Sequence, residues 1–168
     1  MRFFNTAGPV NCQDHYCLPP LQRFDLDTVM SLIGQKKYFL LHAPRQTGKT
    51  SCLLALMTHL NQGGIYRALY ANIEAAQAVR EDVTAGIAAV VQAIAERARM
   101  MLGETETNGL ALEVLAQQGA ATALQTFLSR WCEQSPQPRV LLLDEVDALI
   151  GDTLISLLRQ LRGGYDTR

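Results

Sequence analysis

Two kinds of apolar pattern alternate along the chain. Leu26, Val29, Met30 and Ile33 recur at helical spacing behind Asp25, which predicts a short capped helix over 25–34. Tyr38-Phe39-Leu40-Leu41-His42 is instead a continuous apolar run, the pattern of a strand buried on both faces. A helix follows from Lys49 to Asn61, with Leu53, Leu54, Leu56, Met57 and Leu60 crowding one side and Gly63-Gly64 stopping it. Tyr66 to Asn72 reads as a second strand, with Ala68, Leu69, Ala71 and Ile73 around its core. Val79, Val83, Ile87, Val90, Ile94 and Met101 then form one stripe, predicting a single long helix over 76–102. The polar stretch 103–109 is a loop, and 110–118 and 120–132 are two shorter helices, the second facing a core with Leu124, Phe127, Leu128 and Trp131. Ser135-Pro136-Gln137-Pro138 punctuates the chain before Val140-Leu141-Leu142-Leu143, a third buried strand. Asp152 is the expected cap of a last helix over 153–162, ended by Gly163-Gly164.

Strand and helix alternate, so the fold class is α/β with a parallel sheet. The expected organisation is an irregular lead-in over 1–24, holding Gly8-Pro9 and Pro19-Pro20, and one domain over 25–168. A chain of 168 residues is about one domain, and 48% hydrophobic against 18% charged residues argues for a packed core rather than disorder. Fifteen Lys and Arg against sixteen Asp and Glu leave a formal charge of −1, so there is no specific nucleic-acid signal and no pull toward acidic membranes. No apolar run reaches the ~18–20 residues of a membrane span, and four cysteines make no disulfide framework. The expectation is a cytoplasmic protein with reduced thiols. Cys12, His15 and Cys17 lack a second half-site for zinc, and Cys52 and Cys132 read as core thiols.

The chemistry begins where the first predicted strand meets its helix, at Ala43-Pro44-Arg45-Gln46-Thr47-Gly48-Lys49-Thr50. This is the strand–loop–helix setting of the phosphate-binding pattern G-x-x-x-x-G-K-[ST], with Ala43 in place of the first glycine. Backbone N–H groups of such a loop surround a β-phosphate at the positive end of the helix dipole. Gly48 allows close approach of the backbone, Lys49 brings a compact positive charge to the β- and γ-phosphates, and the Thr50 hydroxyl is the expected Mg²⁺ ligand. Ser51 reads as the next helix residue within the loop signature. The alternative is a chance match in an ordinary turn; the flanking elements and a second motif argue against it.

That second motif is the carboxyl end of the third strand, Asp144-Glu145, where open α/β sheets bind ligands. Asp144 is placed to hold Mg²⁺ through its water shell, and Glu145 to orient and deprotonate an attacking water. Asp147 reads as a turn cap or a support for the site. The competing reading of all three carboxylates is a solvated loop that begins a helix.

APRQTGKTS at 43–51 together with RVLLLDEVDAL at 139–149 resembles the additional-strand, catalytic-glutamate division of P-loop ATPases. More narrowly the chain is similar to bacterial AAA-like ATP-binding proteins whose phosphate loop reads PRQ-x-GKT; FNTAGP, PPL-x-R-x-D and LISLLRQLRGGYD also resemble that group, over about 3–165. The resemblance implies a three-layer α/β/α fold and Mg²⁺-dependent binding and hydrolysis of ATP to ADP and phosphate. Lys49, Thr50, Asp144 and Glu145 would carry the roles given above. It makes Pro20, Leu21 and Arg23 adenine-side candidates, against simple packing of the lead-in. It offers Asn72 as a polar restraint on the catalytic glutamate, against capping of the next turn. The sensor strand and helical lid of that family follow the acidic strand, and here Arg168 comes one helix after it. The expectation is the amino-terminal part of a longer ATPase, weakly active alone, with unpaired strand edges that invite self-association. Arg159 and Arg162 read either as an arginine finger in trans or as surface charge at a helix end. Two alternatives stand beside ATP hydrolysis: a nucleotide-binding module without useful turnover, and a small-molecule kinase.

Overall fold

The computed structural model describes residues 2–6, 11–44, 46–79 and 81–167, and the chain divides into two compact units, Met1–Gly63 and Gly64–Arg168. The Gly8-Pro9 and Arg45 expectations lie outside the described residues.

In the amino-terminal unit the lead-in folds around a turn. Asn11 Oδ1 accepts the Gln13 N–H at 3.0 Å, Asn11 Nδ2 donates to Asp14 Oδ2 at 2.8 Å, and Phe3 bridges His15 in parallel. The turn brings Cys12 and Cys17 to a Cα separation of 5.2 Å, where they form a disulfide instead of the reduced thiols expected. A 3₁₀ turn, Pro20–Arg23, leads into α1, Leu26–Gly34. Asp25 caps that helix as predicted, its carboxylate accepting the Thr28 N–H at 3.0 Å. Helix α2, Lys49–Gly63, also forms as expected.

The predicted strand at 38–42 does not form: residues 37–44 carry no ladder, and Tyr38 and Leu40 are 55% and 82% exposed. An apolar run states what a strand would bury and says nothing about which strand it would pair with. A strand exists through its inter-strand hydrogen bonds, and the ladder of this chain is made elsewhere.

That ladder lies in the carboxy-terminal unit. Strands β1, Arg67–Asn72, and β2, Arg139–Asp144, pair in parallel, with Arg67 opposite Arg139 and Asn72 opposite Asp144. The α/β class with a parallel sheet therefore holds, as a two-stranded sheet among the described residues. Successive side chains alternate between faces. Leu69, Ala71, Leu141 and Leu143 join one core with α3, Val83–Leu102, α4, Thr107–Gln117, α5, Ala123–Glu133, and α6, Gly151–Gly163. Ala68, Tyr70, Leu142 and Asp144 take the other face, all buried.

The single long helix predicted over 76–102 is two elements. A 3₁₀ segment, Glu74–Val79, precedes α3, and Asp82 accepts the Ala85 N–H at 3.0 Å. That cap ends one element and starts the next, although the apolar stripe runs through both. Asp152 does not cap α6; Ile150 holds the cap position and Asp152 sits in the first turn. Helix α5 has no side-chain cap of its own. Gln160 of α6 supplies one from a distance: its Oε1 accepts the Leu124 N–H at 2.8 Å, and its Nε2 donates to Ala120 O at 2.8 Å. Cys132 is exposed rather than a core thiol.

The amino ends of β1 and β2 are tied by Glu104. Its carboxylate accepts Arg139 Nη1 at 2.9 and 3.1 Å, Arg67 Nε at 3.2 Å and Trp131 Nε1 at 2.7 Å. Arg139 also lies over the Trp131 ring, 4.2 Å from its centroid. Two arginines that the pattern leaves as strand-end charges are thus anchored side chains.

Candidate functional site

The candidate residues fall on both units, and each group has its own geometry. In the amino-terminal unit Gly48 takes φ +83°, and a Cβ built there would stand 2.8 Å from Arg23 Nη1. The left-handed backbone favours glycine here, and the Arg23 guanidinium lies against it. Gln46 is also left-handed, at φ 60°. Lys49 Nζ donates to Ala43 O at 3.0 Å and to Pro44 O at 3.2 Å, and Thr47 Oγ1 donates to Pro44 O at 2.7 Å. The loop thus closes on its own carbonyls through the lysine and the threonine. Cys52 N–H donates to Gly48 O at 3.0 Å, which starts α2, so Lys49, Thr50 and Ser51 form the first turn of a helix with its positive dipole end at the loop. Arg23, proposed for the adenine side by resemblance, lies against the loop glycine, and Pro20 O accepts Cys52 Sγ at 3.4 Å. Ala43, Pro44, Gln46, Thr47, Gly48, Lys49, Thr50 and Ser51 therefore assemble into one loop-and-helix element.

In the carboxy-terminal unit the acidic strand end is a built structure. Asp144 is 7% exposed, whereas Glu145 is exposed. Both Asp144 oxygens are engaged: Oδ1 accepts the Glu145 N–H at 3.0 Å, and Oδ2 accepts the Tyr70 hydroxyl at 3.0 Å. Glu145 stands in the left-handed region, φ 59° and ψ 37°, a conformation uncommon for a residue with a side chain. Its N–H bond to Asp144 holds that turn. Asn72 Oδ1 accepts the Glu74 N–H at 2.7 Å, which is the turn-capping role. Asp147 lies in the 3₁₀ turn that follows. Among the described residues no group of three or more His, Cys, Asp and Glu gathers as a metal cluster. A Mg²⁺ that keeps several waters and leans on one carboxylate needs none.

Tyr70 is the residue that sequence reasoning passed over. Burial, reinforced by the neighbouring Asp144 carboxylate, pushes its phenol up to about 12, so it is a protonated donor at neutral pH. Arg97 of α3 covers its ring at 5.6 Å from the centroid and donates to Tyr70 O at 3.4 Å. Arg97 is half-buried in this role.

Among the described residues no helix is long and apolar enough to cross a membrane. No curated protein and no solved structure matches the chain. The family model of the ATPase family associated with various cellular activities (AAA) matches residues 39–165, a span that takes in the phosphate loop, α2, both strands and the acidic strand end. Over most of its length, then, this chain belongs to the AAA family and is a nucleotide-binding, ATPase-like P-loop protein.

Proposed function

We propose that the chain binds Mg²⁺·ATP at the 43–51 loop and hydrolyses it to ADP and phosphate. The observation that supports this most is the loop itself: a left-handed Gly48 at the mouth of α2, with the Lys49 amine folded onto the loop carbonyls. A polyanion at that mouth offers the Lys49 ammonium an opposite charge, which two carbonyl oxygens do not. Arg23 adds a second cation beside the same glycine.

Thr50 and Asp144 are the residues that would hold Mg²⁺, which when bound neutralises charge across the β- and γ-phosphates. The fit rests on the donor set: a hydroxyl in the first turn of α2 and a buried carboxylate oriented by two hydrogen bonds. Glu145, exposed next to that carboxylate, is the general base. It takes a proton from water as the water oxygen bonds to the γ-phosphorus and the bond to ADP breaks.

A second reading, nucleotide binding without useful turnover, is favoured by one observation. Residues 38–42 form no ladder, so no strand anchors the entry to the loop.

Glu145→Gln separates the two. In the hydrolysis reading the native chain releases phosphate from ATP, and the variant retains ATP with little release. Equal phosphate release by both chains would remove Glu145 from the mechanism, and none from the native chain despite binding would favour the second reading.

A further inference from the structure

The buried hydrogen bond from Tyr70 is one of the two that orient Asp144, the residue to which the chemistry above assigns the metal. Four observations bear on it. The parallel register puts Asn72 opposite Asp144 and Tyr70 opposite Leu142, so Tyr70 reaches Asp144 diagonally along one face of the sheet. Both side chains are buried, Tyr70 at 5% and Asp144 at 7% exposure. The phenol is itself held, its ring under Arg97 and its backbone carbonyl taking the Arg97 Nε–H. Finally, the bond continues: Asp144 Oδ1 accepts the N–H of Glu145, whose backbone stands in the left-handed region.

We propose that Tyr70 is a positioning residue, whose hydroxyl fixes the Asp144 carboxylate and, through it, the turn that presents Glu145. The proposal rests on the metal role given to Asp144 under Proposed function. A carboxylate has about four lone-pair sites, and the Tyr70 and Glu145 bonds use two of them. What the phenol supplies is order. Without it, Asp144 turns about its side-chain torsions, and each binding event has to select the competent rotamer. Outer partners of metal-holding carboxylates typically change metal affinity about 10–100-fold when removed. Because the Tyr70 hydroxyl is neutral, the lower end of that range applies.

Tyr70→Phe removes one oxygen and keeps the ring under Arg97. The test is calorimetric titration of the full chain with ATP over a series of Mg²⁺ concentrations. The expected result is ATP affinity without Mg²⁺ unchanged within about twofold, and a Mg²⁺ midpoint for the tightening of ATP raised about tenfold. In an Asp144→Asn background the same substitution should add no further shift. An unchanged Mg²⁺ midpoint, or an equal shift with and without Asp144, would overturn the proposal, since a packing defect acts independently of Asp144. If the native chain binds no ATP at any Mg²⁺ concentration, the parent reading falls and this inference with it. If the native chain binds and Tyr70→Phe behaves identically, the inference alone falls. Should the variant not fold, the near-ultraviolet tyrosine difference spectrum on adding Mg²⁺·ADP gives the answer with Tyr70 intact. It should be present in the native chain and lost in Asp144→Asn; its absence from the native chain, or persistence in the variant, refutes the coupling.

Discussion

Replacing Glu104 by glutamine removes one negative charge and leaves the side-chain shape nearly unchanged. In the native chain that charge serves three donors, Arg139 Nη1, Arg67 Nε and Trp131 Nε1. They are not equal. The Arg67 side chain is 37% exposed, so its pair is worth ~1 kcal/mol or less. Arg139 is 4% exposed and cannot turn to water, so losing its counter-charge falls in the range of about 3–5 kcal/mol for breaking a buried pair. The low end applies, because Arg139 keeps its 2.9 Å bond to Trp131 O and its place over the indole. We therefore expect Glu104→Gln to cost about 3 kcal/mol, a large share of the ~5–15 kcal/mol that holds a domain folded. Urea unfolding at pH 7 measures it.

The pH dependence supplies a second signature. Burial pushes the Glu104 carboxyl up, yet the hydrogen bonds from Arg139, Trp131 and Arg67 outweigh it and hold the group below its ordinary 4.5. The unfolded chain thus takes up the proton first as pH falls. The stabilisation from the carboxylate is whole above pH 4.5 and is lost as pH drops through the folded value, so the gap between native and variant chains closes in acid. A cost under ~1 kcal/mol at pH 7, or a gap that stays constant into acid, would refute the assignment of Glu104 as the clasp at the strand ends.

Packing between α3 and α6 gives another test. A Cβ at Gly86 would lie 2.5 Å from Thr153 Cγ2, so Gly86→Ala should cost about 1–3 kcal/mol in thermal or urea unfolding. Adding Thr153→Ser removes that methyl and should recover part of the loss; strictly additive costs would contradict a direct clash.

The carboxy-terminal unit was largely legible because its patterns are long and self-consistent. Leu124, Phe127 and Trp131 at helical spacing, and Ala68 to Ala71 beside Val140 to Leu143, point to the core that the structure buries. The acidic strand end was readable for the same reason, since four apolar residues before Asp144-Glu145 fix where a strand stops. Three things were not legible. The run at 38–42 has the composition of a buried strand, but pairing is a non-local property that composition does not carry. The break at Asp82 is a capping event, a hydrogen bond of one side chain to the backbone three residues on, which a continuous apolar stripe conceals. The bond from Tyr70 to Asp144 joins residues far apart in sequence and depends on the register of two strands, so only coordinates reveal it. The phosphate loop stands between these cases: the motif named the residues, whereas the Arg23 guanidinium against Gly48 came from the fold.

The account depends most on nucleotide held by the 43–51 loop, and calorimetric titration of ATP into the native chain and into Lys49→Ala, both with Mg²⁺, measures it directly. Saturable binding to the native chain that is lost in the variant is the predicted result. Equal affinity of both chains for ATP, or no heat of binding to a folded native chain, would contradict it.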